Sequence, residues 1–171
     1  MMFATEKITY QDAIKVGDDT AKVKIVEYIN LACPDALIYQ ETYASFLAPL
    51  VATGQVQRIL KHYNKTSNRL QKGNVANEFI AYDGDNEAAY HFIDQYMRKQ
   101  NEWTTLDLEQ VAGYFEAEGF VKQDNADLAN RVFEEAQAVG VGAVPTVFVG
   151  DQAFIETVDA DAFKKAISSQ L

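Results

Sequence analysis

The chain has 171 residues, of which 48% are hydrophobic, and its 25 acidic and 15 basic side chains give a net charge of −10. This length suits one compact domain or a small core with an inserted subdomain, and the apolar share excludes a disordered chain. The acidic balance argues against nucleic acid or an anionic membrane as partner, because phosphate binding needs clustered Lys and Arg. The apolar runs are too short to span a bilayer.

The start of the chain and its cysteine content bear on location. The first residues, from Met1 to Lys7, lack the basic and apolar regions of a signal peptide. Cys33 is the only cysteine, so no intrachain disulfide can form. These features predict a cytoplasmic protein, while the oligomeric state cannot be deduced from the sequence.

A βαβ unit is predicted near the start. Residues 23–29 form a strand rich in β-branched and aromatic side chains, and because both faces are apolar it should lie in the centre of a sheet. The next apolar residues recur with the period of an amphipathic helix, which should kink at Pro49 and end at Gly54. Residues 55–63 then form a second strand. A short edge strand is expected within residues 7–16.

Four helices are predicted in the middle of the chain. Their apolar stripes cover residues 75–80, 89–97, 108–115 and 129–136. The first helix should end at Asp83-Gly84, and the third should be capped by Thr104 or Thr105. The fourth should end at Gly140.

Strand character returns near the end of the chain. Residues 146–149 and 153–156 form two strands, and a last helix follows Asp159 as its cap. The predicted fold is therefore α/β, with a βαβ half and a ββα half separated by a helical block.

Cys33 is the first candidate for chemistry. It lies where the central strand ends and a helix begins, and Pro34 suits the first turn of that helix. Free N–H groups and the helix dipole favour a thiolate there and lower the thiol pKa. Asp35 opposes this effect with a second negative charge, and Ala36 stands where a dithiol motif carries its second cysteine. The alternative is a cysteine that packs as a small hydrophobe.

Glu27 is the second candidate, because it shares a strand face with apolar residues. A buried carboxylate either takes up a proton or pairs with a cation, and Lys61 on the neighbouring strand is the nearest candidate partner. Alternatively, Glu27 lies near the strand end and reaches water.

Pro145 is the third candidate. It lies directly before a strand, where the missing N–H is tolerated. A cis bond would expose the backbone of Val144 to an extended chain, but the residues alone favour a trans bond.

No cofactor and no metal are predicted. Residues 83–87 begin like a calcium loop but lack the later Gly and Glu. The two histidines lie far apart and, with one cysteine, give no zinc spacing. Residues 140–142 lack the remaining glycine of a dinucleotide-binding loop.

Two segments carry a resemblance to a known family: Val26-Glu27-Tyr28-Ile29-Asn30-Leu31-Ala32-Cys33-Pro34-Asp35-Ala36 and Gly142-Ala143-Val144-Pro145-Thr146-Val147-Phe148-Val149-Gly150. The first resembles the active-site entry of the DsbA-like branch of the thioredoxin superfamily, where an acidic strand residue leads into Cys-Pro-x-Cys. The second resembles the cis-proline loop and following strand of the same family. The resemblance implies a thioredoxin-like fold, in which a mixed β-sheet is flanked by helices. Its halves would be residues 1–67 and 141–171, around a helical insertion at residues 68–140.

The resemblance also implies roles for particular residues. Cys33 would be the nucleophile that attacks a disulfide, in an active-site loop completed by Pro34, Asp35 and Ala36. Val144 and a cis Pro145 would bind the substrate. Glu27 would match the buried acid behind the site and Lys61 the basic residue near it, and together they would tune proton transfer from the thiol.

Three functions are compatible with these features. The preferred one is a thiol–disulfide oxidoreductase with a single cysteine, which predicts a depressed pKa for Cys33. It would form a mixed disulfide with a protein or a small thiol, and because Ala36 replaces the second cysteine, an external thiol would resolve it. The second is a redox-inactive binding module that uses the Pro145 groove. The third is a thiol-conjugating transferase.

Overall fold

The computed structural model describes residues 2–171. The first half of the predicted fold, residues 1–67, begins at Met1, which lies outside the described residues. A five-stranded mixed sheet forms the centre of the molecule, with strand order β1-β3-β2-β4-β5. Its strands are β1 (Ile14–Val16), β2 (Val23–Ile29), β3 (Val56–His62), β4 (Thr146–Val149) and β5 (Gln152–Ile155). β2 and β3 are parallel, and the other neighbouring strands are antiparallel.

Helices cover both faces of this sheet. They are α1 (Pro34–Ala52), α2 (Asn68–Asn77), α3 (Asn86–Arg98), α4 (Gln100–Trp103), α5 (Leu108–Ala117), α6 (Ala126–Val139) and α7 (Ala160–Ser168). Helices α2 to α6 lie between β3 and β4 in the chain, at the position of the predicted helical block. Within residues 2–171, no helix has the length and apolar character needed to cross a bilayer.

The central position of β2 follows from its apolar side chains. Val23 and Ile25 point to one face and pack with residues of α1 and α7, whereas Val26 and Tyr28 point to the other face and join a larger cluster. Both faces are therefore dry, as a strand between two neighbours requires. The predictions of a central β2 and of a short edge strand within residues 7–16 are both confirmed.

Aromatic side chains fill the space on both sides of the sheet. On the side of α1 and α7, the ring of Tyr43 lies 4.7 Å from that of Phe163. Within the helical block, Phe115 contacts Phe92 and Trp103 with ring centroids 5.7 and 5.4 Å apart. The helical block therefore has an aromatic core of its own, which continues into the cluster beneath the sheet.

The structure corrects two of the predicted helix boundaries. Helix α2 ends at Asn77, before the predicted stop at Asp83-Gly84, although Phe79 and Ile80 beyond its end are buried. The cap of α5 is Asp107, not Thr104 or Thr105: the backbone N–H of Asp107 donates to the Gln110 side chain at 3.2 Å. Thr104 instead ends the short helix α4, which the apolar pattern did not predict.

Candidate active site

Cys33 is the N-cap residue of α1, and Pro34 occupies the first helical position. Its side chain is buried, with 6% of the residue exposed. The Sγ atom lies 3.5 Å from the backbone carbonyl oxygen of Val144, which is 111 positions away in the chain. The fold therefore brings together two segments that the sequence analysis singled out separately.

The loop around Val144 is held by contacts from several elements. The peptide bond between Val144 and Pro145 is cis. The Pro145 carbonyl accepts a 2.7 Å hydrogen bond from the backbone N–H of Glu156, at the end of β5. On the other side, the Lys65 ammonium donates to the Gly142 carbonyl at 2.7 Å. These contacts fix the loop that faces the thiol.

The environment of Cys33 favours the neutral thiol. Burial raises the pKa of the Cys33 thiol and is the largest influence on it. The backbone N–H groups of Ala36 and Asp35 and the charge of Arg69 act in the opposite direction, while the Asp35 carboxylate adds to the rise in pKa. The predicted depressed pKa is therefore wrong, because desolvation of the sulfur outweighs the donors at the helix start.

Ala36 lies one helical turn after Cys33 and is fully buried. In this position its methyl group packs in the same core cluster as Cys33 and Val144. The position that would carry a second thiol is thus a packed apolar site, and the chain has no other cysteine.

Glu27 is fully buried and forms a two-pronged ion pair with Arg58. The Nε and Nη2 atoms of Arg58 each donate to one carboxylate oxygen of Glu27 at 2.7 Å. Arg58 also donates to the Gln40 side chain at 2.8 Å and to the Tyr90 hydroxyl at 2.9 Å. The charge of Glu27 is therefore matched inside the protein and does not reach water.

The predicted pairing of Glu27 with Lys61 is wrong, because the two side chains lie on opposite faces of the sheet. In the parallel register, Glu27 pairs with Leu60 and Lys61 pairs with Tyr28. Paired residues share a face, so Arg58 and Leu60 lie on the face of Glu27, whereas Lys61 lies on the face of Tyr28. Lys61 instead donates to the Glu135 carboxylate of α6 at 2.7 Å, and burial lowers the pKa of its ammonium group.

Arg58 could have been found from the sequence by the same alternation. Val56, Arg58 and Leu60 are spaced two residues apart along β3, so the side chain of Arg58 lies on the same face as these two apolar residues. A cation on that face, at the strand next to Glu27, satisfies the buried carboxylate. The signal was present, but it depends on the register between two strands, which the sequence analysis did not define.

A small cavity lies next to the start of α1. It has a volume of about 200 Å³ and lies between the first turns of α1 and the segment after β5. Asp35 and Glu156 are its charged lining residues, and Ile38 is an exposed apolar one. A larger cavity of about 590 Å³ lies between α2 and α6 and is lined mainly by polar side chains, but it includes neither Cys33 nor Pro145.

Sequence comparisons identify proteins to which this chain is similar. A sequence model of the family described as thioredoxin matches residues 9–169. A probable disulfide bond formation protein D from Bacillus cereus is 26% identical over 180 residues, which cover 97% of this chain and 82% of that protein.

Solved structures show the same architecture. A conserved protein of unknown function from Enterococcus faecalis is 33% identical, with a TM-score of 0.92 over 97% of this chain and 95% of that one. The oxidised form of BdbD from Bacillus subtilis shares the fold at 16% identity, with a TM-score of 0.71 over 95% of this chain and 94% of that one. The fold is thus thioredoxin-like. The chain belongs to the thioredoxin family, and within that superfamily it is a DsbA-like protein.

Proposed function

We propose that this protein is a thiol–disulfide oxidoreductase that works through one cysteine, Cys33. The observation that carries the proposal is the position of Sγ at the start of α1, 3.5 Å from the Val144 carbonyl in the loop before β4. The match to the thioredoxin family supports the same reaction class, as does the similarity to a relative named for disulfide bond formation.

The reaction is an exchange between sulfur atoms. Cys33 loses its proton to solvent, and the thiolate attacks one sulfur of a protein or small-molecule disulfide. A new bond forms between that sulfur and Sγ while the substrate S–S bond breaks, and the departing thiolate takes up a proton. An external thiol then attacks the substrate sulfur of the mixed disulfide, which regenerates the Cys33 thiol and releases a new disulfide.

The roles of the two neighbouring segments follow from this sequence of steps. The Val144 carbonyl holds Sγ in the resting protein and is released when Sγ turns toward the substrate sulfur. Because Ala36 offers no second thiol, the mixed disulfide persists until an external thiol arrives. The substrate partner is therefore retained for longer than in a dithiol enzyme.

Trapping the intermediate tests the proposal. The folded protein is incubated with bis(2-hydroxyethyl) disulfide and its intact mass is measured. We expect one added mercaptoethanol group on Cys33, and none in the matched variant Cys33→Ser. If the folded protein gains no mass while the same protein reacts in denaturant, the proposal is wrong.

A redox-inactive binding module is the second candidate. The burial of Cys33, which raises the pKa of its thiol, favours this alternative because a protonated sulfur is a poor nucleophile. A module of this kind binds its partner through the Val144–Pro145 loop, and Cys33→Ser leaves that binding unchanged. Loss of partner binding in Cys33→Ser would instead favour the mixed disulfide.

We also propose a cytoplasmic location. A reducing compartment keeps a single cysteine as the free thiol that the exchange requires. Fractionation of the source cells, followed by detection of the protein, tests the location directly, and recovery outside the cytoplasm would contradict it.

A further inference from the structure

The backbone N–H groups that lead into Cys33 are bound mainly by side chains. The N–H of Leu31 donates to Nε2 of His62 at 3.1 Å, and the N–H of Ala32 donates to the Asn30 side chain at 3.0 Å. Burial lowers the pKa of His62 to about 3, so its imidazole is neutral and can accept at Nε2. Asn30 is itself fully buried, and its amide donates to the Tyr63 carbonyl at 3.2 Å.

The carbonyl groups of the same segment are bound by two side chains of the helical block. The Leu31 carbonyl accepts from Nε2 of Gln100 at 3.0 Å, and the Cys33 carbonyl accepts from the same atom at 3.4 Å. Between them, the Ala32 carbonyl accepts from Nε of Arg69 at 2.7 Å. Three successive carbonyls thus receive hydrogen bonds from α2 and α4.

Arg69 and Gln100 also bind each other. Nη2 of Arg69 donates to Oε1 of Gln100 at 3.1 Å, so both ends of the Gln100 amide are occupied. Gln100 is almost fully buried, and its amide therefore needs these partners. The two residues lie 31 positions apart, on different helices, and form one unit against the backbone of residues 31–33.

We infer that Arg69 and Gln100 are positioning residues that hold the backbone of residues 31–33, and with it Sγ of Cys33, against Val144. The inference rests on the proposed function, since it concerns the nucleophile of that reaction. Without these donors, buried carbonyl groups lose their partners, and the segment must rotate to satisfy them. Such a rotation moves Sγ, because Cys33 is the last residue of this segment. The Cys33 carbonyl also accepts from the N–H of Leu37, so the same segment is joined to the first turn of α1.

Arg69 has a second effect, which is electrostatic. Its positive charge lowers the pKa of the Cys33 thiol and partly offsets the effect of burial. The same side chain thus orients the segment and stabilises the thiolate. Gln100 carries no charge and contributes only to the orientation.

The two effects can be separated with two sets of variants. Arg69→Lys and Arg69→Gln can each donate to the Ala32 carbonyl, but only Lys retains the charge. Gln100→Met keeps the length and volume of the side chain and removes both donors. The readout is the rate of alkylation of Cys33 by iodoacetamide from pH 6 to 11, which reports on one thiol and does not depend on disulfide exchange.

We expect the midpoint of the pH–rate profile to be higher in Arg69→Gln than in Arg69→Lys. Below the midpoint, the rate follows the thiolate fraction, so a rise of about half a pH unit lowers the rate by about threefold. We expect Gln100→Met to react faster than the parent protein at every pH, because Sγ leaves its buried position. Arg131→Gln, which removes a charge from the surface pair with Asp12, is the matched control and should match the parent.

An alkylation rate of Gln100→Met equal to that of the parent would overturn the inference that these residues position Sγ. The same midpoint in Arg69→Gln and Arg69→Lys would contradict the electrostatic effect of Arg69. Circular dichroism and urea unfolding establish that each variant is folded. If Gln100→Met does not fold, Gln100→Asn replaces it, since the shorter amide cannot reach the same carbonyls. If the parent protein forms no mixed disulfide but the Arg69 and Gln100 variants show the expected alkylation rates, the result counts against the proposed function and not against this inference.

Discussion

The chemistry of Cys33 is set by a competition between burial and hydrogen-bond donors. A cysteine at a helix N-terminus is stabilised as thiolate by free N–H groups. In this protein, the sulfur also lies within the apolar cluster and against a carbonyl oxygen, where a negative charge is unfavourable. The net result is a raised pKa for the Cys33 thiol and a neutral sulfur at pH 7.

The reaction of Cys33 with disulfides should therefore accelerate with pH throughout the neutral range. Its thiol pKa is raised above the usual 9.0, so the rate should climb up to and beyond pH 9 as the thiolate forms. Stopped-flow measurement with a small aromatic disulfide gives this profile. Asp35→Asn removes a carboxylate that raises the pKa of Cys33 and should shift the profile to lower pH. A rate that is already constant by pH 7 would contradict this account.

The buried pair of Glu27 and Arg58 should be important for stability. Arg58→Met leaves a carboxylate without a partner in the sheet interior, which costs about 3–5 kcal/mol in the free energy of unfolding. Urea unfolding of Arg58→Met and of the double variant Glu27→Leu/Arg58→Met measures this cost. The double variant should be more stable than the single one, because it removes the unpaired charge. Arg98→Met, at an exposed pair with Asp94, is the control and should cost less than about 1 kcal/mol.

A different ordering would contradict this interpretation of the pair. If Arg58→Met and Arg98→Met destabilise the protein equally, Glu27 is not held as a buried charge. If the double variant is less stable than Arg58→Met, the contacts of the Glu27 carboxylate other than the ion pair dominate.

The strands and helices show which features of the site can be read from a sequence. Apolar patterning alone predicted β2, β3 and β4 and their order around the helical block, because each strand is buried on both faces. It did not predict that Arg58 would pair with Glu27, because this pairing depends on the register between β2 and β3. A shift of one residue in that register would place Arg58 on the opposite face from Glu27. Arg69 and Gln100 were also missed, since their role depends on how α2 and α4 pack against residues 31–33.

The packing of α2 against the segment before Cys33 depends on a glycine. A Cβ atom at Gly73 would lie 1.8 Å from the Asn30 side-chain oxygen and 3.0 Å from the backbone nitrogen of Ala32. Only a glycine at this position allows α2 to come so close to the segment before Cys33. This approach brings Arg69, one turn earlier on α2, to the Ala32 carbonyl.

Gly73→Ala should therefore destabilise the protein by about 1–3 kcal/mol, because helix and segment must move apart. It should also alter the alkylation rate of Cys33. Gly113→Ala is the matched control within α5, where a Cβ meets no atom within 4 Å. This control should be more stable than the parent by up to about 1 kcal/mol, since alanine favours the helix. Equal stability of the two variants in urea unfolding would show that α2 is not tightly packed at Gly73.

The whole molecule brings Cys33, from one half of the chain, against the loop before β4, from the other half. Antiparallel pairing of β2 with β4 places the end of the central strand, and so Cys33, beside the loop before β4. The family resemblance of both segments implied this meeting, whereas composition and periodicity did not. The effect of burial on Cys33 could not be predicted, because it arises from residues contributed by the complete core.

In the proposed reaction, the absence of a second thiol at position 36 determines how the mixed disulfide is resolved. Ala36→Cys restores the spacing of a dithiol motif, and two residues one helical turn apart can be bridged by a disulfide. In this variant, the mixed disulfide at Cys33 should be released without any added thiol, and the protein should end with an internal disulfide. Mass spectrometry under non-reducing conditions distinguishes this product, two mass units lighter than the reduced variant, from the adduct.

The fate of the mixed disulfide in the parent protein is the most direct measurement. The purified adduct of Cys33 is followed by intact mass with and without a defined concentration of a small external thiol. We expect the adduct to persist without the external thiol. With the thiol, the adduct should disappear at a rate proportional to the thiol concentration and leave a free Cys33 that can react again. A folded protein that forms no adduct, or an adduct that the external thiol does not release, would contradict the single-cysteine mechanism.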